Sequence, residues 1–235
     1  MIHRAGLVEK QARAQLIHAT PSVFSAFAYH DSIVVTLSSE NHLSRFVYCR
    51  YFDCKFNEIP QPFKTTVLPE SAVFCGRRIG AAYITITSTL EDALFESPVR
   101  IQKRLETQHF FTVCVDPLIG ENRKYLKIAE FIEYYKLQGA TFFHFYVRNI
   151  TDYDRFILDD YARTGEIEVI RLRDHYWRED FMWMQTQTSD CHFRSRSFSK
   201  WTAFLNIDDR LEINSSHYST LELFLEYALI VLGKM

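Results

Sequence analysis

An apolar run, Trp201-Thr-Ala-Phe-Leu205, passes directly into Asn206-Ile-Asp208-Asp209-Arg210 and so places oxygen donors where a buried strand should end. Open α/β sheets gather their ligands at the carboxyl ends of strands. Side chains two apart on a strand point the same way, so Asn206 and Asp208 are positioned to face one hard divalent cation, which takes oxygen ligands. Acidic residues after a strand also describe a plain solvated turn. The elements that position them decide between the two.

Beyond residue 105 strand and helix patterns alternate. His109-Phe-Phe-Thr-Val-Cys-Val115 is nearly continuously apolar, as in a strand buried on both faces, and Asp116-Pro117 is expected to end it. Over 123–138, Tyr125, Ile128, Ala129, Ile132 and Tyr135 recur at helical spacing, and Gly139 suits a C-terminal cap. A second strand follows over 141–147. Thr151 to Asp154 reads as a capping box opening a helix that closes at Gly165, before a third strand over 166–172. A helix over 184–195 then leads to the strand at Trp201. The expected fold class is α/β, a mostly parallel sheet flanked by helices, with the acidic cluster at the end of a central strand. Hydrophobic positions over 221–232 also have helical spacing, with no packing partner identifiable.

Upstream, β-rich runs over 23–29, 33–37, 45–52, 72–75 and 81–87 are separated by polar turns and predict a smaller antiparallel region. Residues 90–107, with Pro98 and many charges, read as a connector. The expected organisation is an N-terminal extension over 1–20, a β-rich region over 21–104 and an α/β domain over 105–235.

With 235 residues, 47% hydrophobic and 15% aromatic, the chain has ample material for a packed core. A formal net charge of -2 and dispersed Lys and Arg give no electrostatic reason to expect nucleic acid as a partner. No run approaches the roughly 20 apolar residues that span a bilayer, and 1–20 lacks the apolar core of a secretory signal. The five cysteines and nine histidines show no zinc spacing. Two disulfides and one free thiol would fit a secretory protein, five buried thiols a cytosolic one, and the sequons at Asn149 and Asn214 favour the former.

The segments CVDPLIG, AEFIEYYKLQGATFFHFYV, YARTGEIEVI, DCHFRSRSFSKW and FLNIDDR, in that order over roughly residues 109–213, resemble glycosyltransferase family 92. The resemblance implies a GT-A type nucleotide-sugar fold, here incomplete, over 105–235. It also implies transfer of a hexose, typically galactose, from a UDP-sugar to a glycan or glycoprotein, usually with Mn2+ or another divalent cation, by Golgi enzymes with a membrane anchor. That anchor is not found in this sequence. By the same resemblance Asp208 is the principal metal ligand, and Asp209 supports the metal or holds Arg210. The family generally carries Asp-x-Asp here, and Asn206 in the first position removes one negative charge while keeping an amide able to bond the ribose. Asp116, after the first strand, and Asp190, in the family landmark, complete the nucleotide-sugar candidates.

Arg194, Arg196 and Lys200 are candidates to neutralise a diphosphate, Trp177, Trp183 and Trp201 to stack on sugars, and Asp174 with His175 to act as a base. Solvated cations, buried packing and a loop hydrogen bond are the competing explanations, and no residue is assigned as the catalytic base. A transferase of this type continues well past its metal motif, whereas the sequence stops at Met235. A transferase, a truncated or degenerate donor-binding relative, and a carbohydrate-binding or interaction module therefore all stay open.

Overall fold

A computed structural model describes residues 21–38, 42–69, 71–91, 97–173, 179–214 and 217–232. The first elements are strands β1 (Val23–Ala28), β2 (Ser32–Leu37), β3 (Phe46–Phe52), β4 (Glu58–Thr66), β5 (Ala72–Gly76), β6 (Tyr83–Thr87) and β7 (Val99–Lys103). They are followed by β8 (His109–Leu118), α1 (Tyr125–Leu137), β9 (Phe142–Val147), α2 (Asp152–Arg163), β10 (Ile167–Arg171), α3 (Met182–Ser195), β11 (Ser199–Leu205) and α4 (Leu221–Leu232). The chain forms two compact units, Met1–Leu105 with Asp174–Arg194, and Glu106–Arg173 with Ser195–Met235.

Among the described residues the first unit holds a seven-stranded sheet in the order β4-β3-β6-β7-β1-β2-β5. Its pairings are antiparallel except that β7 lies parallel to β1. Alternating side chains, among them Val35, Val47, Tyr51 and Ile84, fill its core, and the Cys49–Cys75 disulfide ties β3 to β5. Cys54 is an exposed free thiol. The expected connector over 90–107 therefore contains a strand, because Val99 and Ile101 pack against the core while Arg100 and Lys103 face outward. Pro60 and Pro62 mask β4 in the sequence. The strand tolerates them because it is an edge, where a missing N–H leaves no ladder partner wanting.

In the second unit the four strands of the described residues, ordered β10-β9-β8-β11, pair in parallel throughout. Phe111, Val113 and Val115 of β8 pack with Phe143 and Phe145 of β9 beneath Ile128, Phe131, Ile132 and Tyr135 of α1. Burying one such side chain contributes about 1.5–3 kcal/mol, so this layer is what holds the sheet and helix together. Two expectations are corrected. Asp116-Pro117 does not end β8, which runs on to Leu118 through a register shift after Val115 that accommodates the proline. Nor is β11 central: among the described strands it pairs only with β8, and Lys200 and Phe204 on it are exposed, as suits an edge.

Both helix ends follow the local chemistry of the sequence. Thr151 accepts from the Asp154 N–H, and the Asp154 carboxylate accepts from the Thr151 N–H, completing the capping box of α2. At the other end of α1, Gly139 adopts φ +93° while its N–H reaches the Lys136 carbonyl and the Ala140 N–H reaches Tyr135, the pairing of a Schellman turn. Helix α4 does have a partner. Leu221 and Leu225 pack on the core, and Gln138 accepts from the Leu221 and Glu222 N–H groups through its side-chain and backbone oxygens.

Gly139 is therefore fixed twice, by backbone conformation and by space. Gly139→Ala should cost about 1–2 kcal/mol from the left-handed backbone alone. It should cost more from contact, since its Cβ would stand 2.3 Å from the Glu222 Cβ. Urea denaturation should show the loss, and amide exchange should quicken along α4.

Candidate functional site

Strand order places the site. The sheet grows from β8 toward β9 and β10 on one side and reaches β11 on the other, so the direction of progression reverses between β8 and β11. Ligands of open α/β sheets settle in the crevice outside the carboxyl ends of strands at such a reversal. Asp116 stands near the end of β8 and Asn206 just past the end of β11, and the Asn206 amide Nδ2 lies 3.4 Å from Asp116 Oδ2.

The turn that follows is built by its own polar groups. Buried Ile207 anchors it, which leaves Asn206 and Asp208 exposed on either side. Asn206 Oδ1 accepts from the Asp208 N–H at 3.1 Å, the Asp209 N–H donates to the Asn206 carbonyl at 2.9 Å, and Asp209 Oδ2 accepts from the Asn206 N–H at 2.8 Å. Helix α1 then clamps the outgoing chain. Tyr135 Oη donates to the Asp209 carbonyl at 3.2 Å and accepts from the Leu211 N–H at 3.0 Å, while Tyr134 Oη donates to the Leu211 carbonyl at 2.9 Å. Arg210 lies over the Phe131 and Tyr134 rings and reaches Glu130 at 3.3 Å.

Charge at the turn is unevenly shared. Lys127 of α1 donates to Asp208 Oδ1 at 2.7 Å, with both side chains more than half exposed at 57% and 63%, so the pair contributes little to stability. Its importance is that it sets an ammonium on the one carboxylate that projects from the turn without a hydrogen bond inside it. Asp116 behaves differently: burial pushes its carboxyl above the ordinary aspartate value and Asp209 adds to this, against the Asn206 hydrogen bond that lowers it.

Among the described residues no group of three His, Cys, Asp or Glu side chains converges to cage a metal. Asp209 commits one oxygen to the Asn206 N–H and Asn206 commits Oδ1 to the Asp208 N–H, which leaves Asp208 as the open carboxylate. Magnesium-like ions at nucleotide sites are held by one or two carboxylates together with substrate phosphates. The donor set fits an ion of that kind once Lys127 releases Asp208.

Of the residues singled out in the sequence, Asn206, Asp116, Asp208 and Asp209 meet at this reversal. Asp190 does not belong to their unit. It is fully buried in the first one, where it accepts from Thr36 Oγ1 at 2.9 Å and pairs with Arg194 at 3.0 Å, and Arg194 donates on to Ser25 at 3.0 Å. Both charges are thus structural partners of each other. Arg196 and Lys200 are exposed, Trp183 is 2% exposed and Trp201 packs on the core of the second unit. Asp174, His175 and Trp177 lie outside the described residues. Lys127 escaped the sequence reading because 81 residues separate it from Asp208, and its place on the polar side of a helix looks like any solvated lysine.

Residues 109–229 match the family model for Glycosyltransferase family 92. No curated protein matches the chain. Among solved structures, an intact type IV self-sufficient cytochrome P450 monooxygenase shows 14% identity over 83% of this chain and 28% of that one, with a TM-score of 0.23. The β-glucuronidase from Ruminococcus gnavus in complex with D-glucuronic acid shows 11% identity over 89% of this chain and 40% of that one, with a TM-score of 0.24. The chain thus spans less than half the length of either, and scores this low define no shared fold.

The raised Asp116 carboxyl has a stability consequence with a definite sign. A carboxyl whose folded value lies above its unfolded one favours folding below the ordinary value of 3.8, and that contribution is lost as pH rises through the folded value. Asp116→Asn should therefore melt higher than the parent near neutral pH, with the advantage vanishing in acid below 3.8. Thermal melts across that range will show it. Tyr135→Phe, which strands the Leu211 N–H, should cost about 1 kcal/mol in urea denaturation.

Proposed function

The chain belongs to glycosyltransferase family 92, and we propose that it binds a UDP-hexose, with galactose as the first sugar to test, and transfers the sugar to a glycan or glycoprotein. The observation that carries this is the meeting of Asp116, Asn206 and Asp208 at the strand-order reversal inside the matched region. The order β10-β9-β8-β11 and the wholly parallel pairing support a GT-A type arrangement. The Cys49–Cys75 disulfide supports an oxidising, secretory setting, with the Golgi as the compartment in which glycans are elaborated. Among the described residues no helix is long and apolar enough to cross a membrane.

In this reading Asn206 presents its amide to a ribose hydroxyl, oriented by Asp116 on one side and by the Asp208 N–H on the other. Asp208 is the residue that would hold a divalent cation such as Mn2+. Such an ion, when bound, supplies positive charge to the diphosphate as it departs. Lys127 already sets an ammonium against Asp208, so the turn keeps a cation facing the same space in either state. Loss of a carboxylate at position 206 lowers the negative charge available to attract a metal, which also favours a second reading, a relative that binds donor but transfers slowly.

Calorimetric titration of UDP with and without Mn2+ tests this, on protein shown to be folded by circular dichroism. We expect Mn2+ to strengthen UDP binding and Asp208→Ala to weaken the Mn2+-supported complex by at least about tenfold, or 1.4 kcal/mol. Lys127→Met should lower the Mn2+ concentration needed, since the competing ammonium is gone. Glycan-dependent release of UDP from UDP-galactose, with the galactose recovered on the glycan rather than as free sugar, would establish transfer. Binding without release would select the donor-binding relative, and a folded chain that ignores UDP in every condition would sink both.

A further inference from the structure

A second feature lies on the same edge of the parallel sheet. The carboxyl ends of β9 and β10 and the facing side of α2 enclose a cleft of about 190 Å³ lined by Arg148, Arg155, Arg171 and Arg173. Among the described residues of that lining Asp159 is the only acidic one, and Arg155 Nε meets it at 3.5 Å. The described lining therefore carries a formal excess of three positive charges in a chain whose net charge is -2. Arginine side chains gathered along one small space repel one another, and an anion placed among them relieves that repulsion. Planar guanidinium forks match phosphate, sulfate and carboxylate oxygens in pairs, which gives geometric selectivity as well as charge. Leu158 and Val169 add an apolar wall. The space is smaller than the roughly 300–1,000 Å³ that encloses a drug-sized ligand, so it admits one charged group rather than a whole sugar nucleotide.

We propose that this cleft binds an oxyanion carried by a sugar substrate. Because β8, β9 and β10 are parallel, the cleft opens at the same edge as Asp116, one to two strand spacings away, or roughly 5–10 Å. Two sources can bring an oxyanion to that position: a phosphate of the donor, or an acid group, sulfate above all, on the acceptor glycan. That the anion belongs to a sugar substrate rests on the transferase reading; the preference of the cleft for anions does not.

The test uses the full chain and three probes, inorganic pyrophosphate, galactose 6-sulfate and UDP, titrated by calorimetry at low and high salt. Neutral galactose serves as the blank. At least one of the first two probes should bind the parent, more weakly as salt rises, and should lose at least about tenfold in affinity in the Arg171→Gln/Arg173→Gln double variant, while Arg163→Gln, an exposed arginine of the same helix α2 outside the cleft lining, leaves it unchanged. Arg155→Gln, a single change at an exposed helical position, gives the same direction of effect should the double variant fail to fold. If UDP weakens in parallel in the arginine variants, the anion is the donor's; if galactose 6-sulfate weakens and UDP does not, it is the acceptor's. Absence of pyrophosphate and galactose 6-sulfate binding to the parent, or binding indifferent to all three arginines, overturns the proposal. A chain that binds these anions but never UDP would keep the cleft and remove the transferase reading, so the two failures are separable.

Discussion

The hydroxyl of Tyr135 makes two hydrogen bonds that join the buried face of α1 to the chain leaving β11, at the Asp209 carbonyl and the Leu211 N–H. The ring is fully buried among Phe131, Phe143 and Phe145, so the hydroxyl cannot wander, and the turn above inherits that rigidity. Burial also raises the Tyr135 phenol above its ordinary value. From this contact follow the reach of Lys127 to Asp208 and the stacking of Arg210 on the aromatic end of α1, whereas the pairing of Leu205 with Val115 across β11 and β8 sets Asn206 beside Asp116. A helix that tilted away would break both of those helix contacts at once.

The second unit thus keeps its apolar order on one side of the sheet and its charge at one end. The core layer is continuous from Phe111 to Ile207, whereas the carboxyl edge collects a carboxylate pair at the reversal and arginines over β9 and β10. Both are places where the protein accepts a local cost. Asp116 is half-buried beside a like-charged neighbour, and the arginines crowd one cleft. Perturbed and crowded charges of this kind cluster at functional sites.

An amide rather than a carboxylate at position 206 has a physical meaning in this setting. With Asn206 in place of a carboxylate, Asp208 is the single open anionic oxygen donor of the turn, and Lys127 is near enough to neutralise it. The amide does something a carboxylate could not: it donates toward Asp116 while its oxygen accepts from the turn's own backbone. Asn206 thereby makes the turn an internally bonded, pre-ordered loop.

Much of this fold was legible in the sequence because its signals are local. The period of α1, the glycine after it, the capping box at Thr151 and Asp154 and the apolar run of β8 each depend on residues within a few positions of one another. Asn206, Asp208 and Asp116 were likewise marked by strand ends. What stayed hidden depends on pairing between distant segments. Sequence could not place β11 at an edge, make 99–103 a strand by pairing it parallel to β1, or show that Asp190 would be consumed by Thr36 and Arg194. The same holds for Lys127, and for four arginines drawn from two strand ends and a helix. Their chemistry is ordinary residue by residue, and only the tertiary fold, by closing long loops, turns them into a counter-charge and a cleft.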